Sequence, residues 1–293
     1  MHMSLLPNII GTKMGDYHID SLIGRGSTGA VYRGLHFITQ QEVAIKILPA
    51  MLSTHAVIRK RFEREAQTLA TLVHPNICPI YSYGMHEGIC YIVMKLLSGH
   101  TLGDWFDSFQ PDGMPLETVS DILLAMASAL DYAHQRDIIH RDVKLDNVMF
   151  DEAGYLYVID FGIAKTTFGT SPLTDLDVII GTPQYIAPER WLALDATPCS
   201  DQYALGVLAY QLCTGRLPFS ANNMSEMMYQ QVHQQATPMH YVRPELPEAL
   251  DNIVNTALSK DPAHRFRSTL AFARMFENVV TKRVGNPLPS ITR

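Results

Sequence analysis

The chain has 293 residues, enough for one large domain or two lobes sharing a sizeable core. Hydrophobic residues make up 47% and charged residues 18%, a balance that excludes an intrinsically disordered chain. The formal charge of −6 argues against non-specific binding to nucleic acid or to an anionic membrane, although a small pocket can be basic on an acidic protein.

No apolar run approaches the roughly 18 residues of a membrane span. The opening "MHMSLLPNIIG" lacks the basic start and long apolar stretch of a secretory signal. The four cysteines, Cys78, Cys90, Cys199 and Cys213, form no C-x-x-C pair, so a reduced, cytoplasmic chain is expected, with the cytosolic domain of a longer membrane protein as the alternative. Twelve histidines include no H-x-x-x-H pair, and no transition-metal site is expected.

In chain order, residues 1–16 read as an extension, and residues 17 to about 50 alternate like strands. "YHIDSLIG" and "GAVYRGLHF" flank a glycine cluster, and "EVAIKIL" follows the polar turn "ITQQ". Residues 23 to 31, "IGRGSTGAV", hold G-x-G-x-x-G at Gly24, Gly26 and Gly29. A strand follows these glycines where a dinucleotide-binding fold would have a helix. The implied structure is therefore a hairpin, whose backbone N–H groups can close over phosphate oxygens. In "EVAIKIL" the period of two places Ala44, Lys46 and Leu48 on one face and Val43, Ile45 and Ile47 on the other. Gly29 and Val31 share a face in the strand before it. A strand lysine with a snorkelling stem is the plain alternative for Lys46.

Residues 54 to 73 switch to helical spacing, with Ile58, Phe62, Glu65, Ala66, Leu69, Leu72 and Val73 on one stripe. Glu65 is the odd member, because a buried carboxylate is costly unless paired. Lys46 is its candidate partner; the alternative is that Glu65 lies at the stripe's edge and reaches water. "NICPIYSYG" and "ICYIVMKLL" read as two further strands. After Gly99 helices dominate: "LETVSDILLAMASALDYAHQ", "SDQYALGVLAYQLCTG", "SEMMYQQVHQQ", "PEALDNIVNTALSK" and "STLAFARMFENVVTKR". The expected fold class is α+β in two lobes, a β-rich one over 17–96 and a mainly helical one over 97–282, with a tail at 283–293.

Between two apolar runs, "IIHRDVKLDNVMFDEAGYLYVIDFG" (138–162) carries Asp142, Lys144, Asn147 and Asp160. Either this is a surface loop, or the four groups converge on something highly charged that is not protein.

Five motifs, "GRGSTGAV", "VAIK", "HRDVKLDN", "DFG" and "APE", stand in this order on the expected strands and loops. The chain thereby resembles the eukaryote-like serine/threonine protein kinases, and looks closest to bacterial members, from about Tyr17 to about Lys282. The resemblance implies a bilobal protein-kinase fold, and ATP with Mg²⁺, or Mn²⁺ as a substitute, held between the lobes. By this resemblance Asp142 orients the substrate hydroxyl and accepts its proton, Lys144 neutralises the transferring phosphoryl group, and Asn147 and Asp160 ligate metal. Lys46 contacts the α- and β-phosphates and is held by Glu65. The implied nucleotide site comprises Ile23, Gly24, Arg25, Gly26, Ser27, Thr28, Gly29, Ala30 and Val31 of the hairpin and Ala44 of the roof. Met94 is the gatekeeper, Met149 the floor, and Lys95 and Leu97 offer backbone groups to the purine edge. Plain core filling is the alternative for both methionines.

Lys144 two residues after Asp142, and Thr182 in "GTPQYIAPE", resemble Ser/Thr rather than Tyr members, so protein Ser/Thr hydroxyls are the implied substrates. Arg265 would pair with Glu189, and Asp201 would tie the backbone around His140 and Arg141. Arg141 marks the class whose activation loop is ordered by phosphate, and autophosphorylation is expected at Thr174, with Thr170 and Ser171 as further candidates. Two positions depart from the family. Leu145 stands where proline is common, and Lys95 replaces a usual acidic hinge residue, which is expected to alter ribose-side contacts more than chemistry. A pseudokinase-type scaffold is the alternative on the same fold, against which Lys46, Asp142 and Asp160 are all retained. Small-molecule phosphorylation is a further alternative, against which "HRDVKLDN" and a full "GTPQYIAPE" segment for docking a polypeptide both argue; pairing of two copies through the N-terminal lobe stays open.

Overall fold

The computed structural model describes residues 9–26, 29–48, 56–162 and 182–284. The alternating first third forms a six-stranded antiparallel sheet of β1 (Lys13–Met14), β2 (Tyr17–Gly26), β3 (Gly29–His36), β4 (Glu42–Ile47), β5 (Ile80–His86) and β6 (Ile89–Lys95), in the order β1-β2-β3-β4-β6-β5. β2 and β3 meet at the pair Gly26 and Gly29, so the glycine cluster is a hairpin. Val43, Ile45 and Ile47 pack on one face of the sheet with Tyr17, Ile19, Ala30 and Tyr32. On the opposite face Leu48, Cys90 and Ile92 meet Phe62 and Ala66 of helix α1 (Ala56–Ala70). Burying two faces of one small sheet fixes its register, because a slip of one residue would exchange Lys46 with core isoleucines.

Two expectations change here. Lys13 and Met14 pair with His18 and Tyr17, so part of the apparent extension belongs to the sheet; a two-residue strand is too short to show a period. Val73 is 81% exposed rather than on the buried stripe, because α1 ends at Ala70 and the helical period no longer applies beyond it.

The second lobe opens with α2 (Leu102–Asp107), capped reciprocally by Thr101 and Asp104, and α3 (Leu116–His134). A short 3₁₀ turn (Leu145–Asn147) leads into a hairpin of β7 (Val148–Phe150) and β8 (Leu156–Val158). Then come α4 (Pro188–Trp191), α5 (Pro198–Thr214), α6 (Met224–His233), α7 (Met239–Val242), α8 (Glu248–Ala257) and α9 (Thr269–Val284). α5 is buried on nearly every side and has no polar face, as a helix through the centre of a lobe requires. Its start is closed by Thr197 and Ser200 and its end by Gly215 in the left-handed conformation. This central helix brings polar side chains into the core, and two of them, Ser200 and Asp201, are used below.

Candidate active site

The glycine hairpin forms one wall. Gly29 has φ +133°, and a Cβ there would lie 2.0 Å from the Ile47 carbonyl oxygen, so only glycine fits. At Gly24 and Gly26 a Cβ would meet no protein atom within 4 Å; those positions leave space that the protein itself does not fill. Ile23 and Arg25 are exposed, while Ser27 and Thr28 lie outside the described residues. The Ala30 methyl is buried in the core on the far face of the sheet, so among the expected site residues Ala30 can offer only backbone. The alternation of β3 is the reason: Gly29 and Val31 turn toward the cleft and Ala30 away from it.

Ala44 pairs with Met94 across β4 and β6, and Val31 with Lys46 across β3 and β4. Met149 joins the stretch after β6 through a bridge to Thr101. Met149 and its cross-strand partner Tyr157 share the half-buried face of the β7–β8 hairpin, whereas Val148, Phe150, Leu156 and Val158 face the core. The roof residues Val31 and Ala44 and the gatekeeper Met94 are thus on adjoining strands of the large sheet, and the floor residue Met149 is on the separate β7–β8 hairpin.

Lys46, 8% exposed, places Nζ 2.7 Å from Asp160 Oδ2. Its expected partner was Glu65. The structure instead leaves Glu65 half-exposed on α1, where its charge acts on Arg141. A cavity separates the inner end of α1 from the Asp160–Gly162 segment; its lining includes Lys46, Leu69, Leu72 and Met94. That gap is why the α1 carboxylate does not reach the lysine.

Asp142, Lys144 and Asn147 do converge. Asn147 Nδ2 donates to the Asp142 carbonyl at 2.8 Å and to its Oδ2 at 3.1 Å. Lys144 Nζ lies 3.5 Å from Asp142 Oδ2 and 3.3 Å from Thr182 Oγ1. Because the Asn147 amide nitrogen is committed to Asp142, its oxygen is the atom left for a cation. Ile159 N donates to the Asn147 carbonyl at 2.9 Å, which ties the chain beside Asp160 to the start of β7. Among the described residues no group of three or more His, Cys, Asp or Glu could cage a metal. Two oxygen donors, Asn147 and Asp160, fit Mg²⁺, a hard cation that takes its remaining ligands from phosphate and water.

The loop is held from below. Asp201 accepts the backbone N–H groups of His140 and Arg141, each at 2.8 Å. The His140 ring accepts from Asp142 N at Nδ1 (3.2 Å), so Nε2 carries the proton and donates to the Ile159 carbonyl at 2.9 Å. Burial pushes its pKa down, in keeping with this neutral ring. Arg141 (φ 66°) and Asp160 (φ 62°) both occupy the left-handed region, a strained backbone that the surrounding hydrogen bonds sustain at the two ends of the constellation. Farther out, Arg265 clasps Glu189 with two bonds of 2.9 and 2.8 Å, and Ser200 Oγ donates to the same carboxylate at 2.7 Å.

Thr170, Ser171 and Thr174 lie outside the described residues. Three supporting contacts escaped the sequence. His134 lies between Asp131 and Asp201, and only the i,i+3 spacing of Asp131 and His134 hinted at it. Buried Gln231 donates to the Pro183 and Gln184 carbonyls at 2.8 and 2.9 Å, shaping the segment after Thr182, and no sequence pattern marks it. Lys95 is bonded to Asp151 and Tyr157.

Comparison with known proteins agrees with this geometry. The family described as the protein kinase domain matches residues 17–276. Serine/threonine-protein kinase Pkn1 of Myxococcus xanthus is 34% identical over 282 residues, covering 94% of this chain and 40% of that protein. Serine/threonine-protein kinase PrkC of Bacillus subtilis is 35% identical over 261 residues, covering 89% of this chain and 40% of its own length. The crystal structure of the Mycobacterium tuberculosis PknI kinase domain superposes with a TM-score of 0.74 at 30% identity, covering 92% of this chain and 98% of that one. The chain therefore spans about two fifths of these curated relatives and nearly the whole of the solved kinase domain. With its fold, its motifs and these matches taken together, the chain belongs to the protein kinase domain family.

Proposed function

We propose that the chain transfers the γ-phosphoryl group of Mg-ATP to serine and threonine hydroxyls of proteins, including its own activation segment. The observation that carries this reading is the meeting of Asp142, Lys144 and Asn147 within 3.5 Å, beside a second carboxylate, Asp160, paired with Lys46. Bound Mg-ATP supplies the transferable phosphoryl group and part of the charge neutralisation.

The chain's own residues do the rest. The Asp142 carboxylate, oriented by Asn147, accepts the hydrogen bond of the incoming hydroxyl and takes its proton at a carboxylate oxygen. Lys144, fixed between Asp142 and Thr182, sets a positive charge beside the transferring group. Asn147 Oδ1 and the Asp160 carboxylate would hold the cation, and Lys46, which here pairs with Asp160, would supply positive charge to the phosphates. Glu65 gains Lys46 as a partner only if α1 closes on the cavity beneath it, which makes seating of α1 part of activation. Positioning and charge account for most of the rate in such a site, because phosphoryl transfer asks little covalent help from the protein.

The test is a radiolabelled-ATP assay of the purified chain with a generic basic protein, beside Asp142→Asn. Incorporation into Ser and Thr by the unaltered chain alone supports the reading. Nucleotide binding without turnover across divalent metals would assign a binding role instead. Mass spectrometry of the two proteins tests self-modification, and equal phosphate at Thr174 in both would refute it.

A further inference from the structure

The hinge lysine has an unusual set of partners. Lys95, the last residue of β6, sends Nζ to Asp151 Oδ2 at 2.9 Å and to the Tyr157 hydroxyl at 2.7 Å, with the ammonium 4.2 Å from the Tyr157 ring centre. Both partners belong to the β7–β8 hairpin, and the contact spans more than fifty residues of sequence. Charge-assisted bonds of this length are among the stronger polar contacts, and the aromatic face adds to them.

Position makes the contact informative. Tyr157 stands directly across from Met149 on the same face of the hairpin, the face that carries the expected adenine floor. The same hairpin is flanked by Asn147 on one side and by Ile159 and Asp160 on the other. The hinge end of the contact is also pinned, since Lys95 N donates to the Pro79 carbonyl at 3.0 Å. Two further links tie the stretch after β6 to the hairpin: Ser98 Oγ donates to Glu152 Oε1 at 2.7 Å, and Phe150 N donates to the His100 carbonyl at 3.0 Å. The backbone bridge of Thr101 to Met149 also reaches the floor; among these hydrogen-bonded side chains only that of Lys95 does so.

We infer that Lys95 is a positioning residue for nucleotide binding: its side chain, anchored on Asp151 and Tyr157, sets the distance between the hinge backbone and the Met149 floor. This rests on the proposed function and adds to it a role that the sequence did not assign. Contact with the ribose side is replaced by a bond to the floor. The ammonium touches neither the reacting atoms nor the metal ligands, so its loss should act on nucleotide affinity before turnover.

Isothermal titration of Mg-ATP into the purified chain, with steady-state kinetics, tests the role in Lys95→Met, Asp151→Asn and Tyr157→Phe. Each variant is expected to weaken Mg-ATP binding and raise KM for ATP by about 5- to 10-fold, with a smaller change in kcat and none in KM for the protein substrate. Exchanging the charges, as Lys95→Asp with Asp151→Lys, is expected to recover most of the affinity lost in Lys95→Met. Variants of a nucleotide-binding chain that keep their affinity, or that lose kcat and melting temperature together at unchanged KM, overturn the role of Lys95 alone. An unaltered chain that fails to bind Mg-ATP would take down the proposed function and this role with it. Asp151→Asn and Tyr157→Phe keep the lysine and nearly the same shape, so an unfolded Lys95→Met protein would still leave the role open to refutation.

Discussion

His134 Nε2 lies 2.8 Å from Asp201 Oδ2, and the same ring faces Asp131 at 3.8 Å from Nδ1. Asp131 also accepts the backbone N–H groups of Thr269 and Leu270 at the start of α9, at 3.0 and 3.1 Å. One imidazolium therefore links α9, α3 and α5, and through Asp201 the backbone of the loop that carries Asp142.

Burial works against the charged ring, but the carboxylates of Asp131, an ion-pair partner, and Asp201, hydrogen-bonded to it, outweigh burial and raise the His134 pKa to about 9. Its folded value thus lies above the unfolded one of about 6.5. The contribution to stability is full below pH ~6.5, shrinks as the pH rises, and is gone above about 9. A displacement of this size corresponds to on the order of 3 kcal/mol. Urea midpoints measured from pH 6 to 10 should fall in the wild type and much less in His134→Gln. Parallel profiles for the two proteins would remove His134 from this role.

Arg265→Met should destabilise the chain by about 3–5 kcal/mol, because it strands the Glu189 carboxylate in the core. Arg265 also donates to the Ser259 and Cys199 carbonyls at 2.9 and 2.8 Å, so those groups lose their partner as well. Replacing both members, Arg265→Met with Glu189→Leu, should recover part of the loss. Denaturant unfolding of the two variants measures the difference; a single variant as stable as wild type contradicts the pairing energy.

For the site itself, Asp142→Asn should lower kcat by about 10²- to 10⁴-fold and leave Mg-ATP affinity near wild type, as loss of a proton acceptor requires. Asp160→Asn should instead weaken the metal-dependent part of nucleotide binding, seen in titrations with and without Mg²⁺. Identical behaviour of the two variants would mean that proton acceptance and metal binding are not divided between these carboxylates.

The hairpin glycines separate packing from ligand space. Gly29→Ala forces a side chain into a left-handed backbone position and against the Ile47 carbonyl, and should cost at least about 2 kcal/mol of stability. Gly24→Ala meets open space and should leave the melting temperature unchanged while raising KM for ATP several-fold. Thermal melts with and without Mg-ATP distinguish the two, and a reversed pattern would place the nucleotide elsewhere.

Local signals carried much of this. The period of two in "EVAIKIL" puts Ile45 and Ile47 in one core and Leu48 in another, as found. Glycines followed by a strand specify a hairpin, and the order of five short motifs specifies the kinase fold, because each depends on residues close in sequence. Glu189 and Arg265 were paired through the family resemblance rather than from any pattern of spacing.

What the chain's own order of residues determined is the set of elements, the two faces of the sheet and the chemical identity of the groups near Asp142. Tertiary packing alone decided how those elements meet: that Lys46 faces Asp160 while Glu65 lies in the field of Arg141, that Lys95 crosses to Tyr157, and that His134 sits between two carboxylates. Periodicity reports which way a side chain leaves its own strand or helix. It carries no information on the distance between two elements, and a charged group takes its partner from whatever that distance brings within about 4 Å.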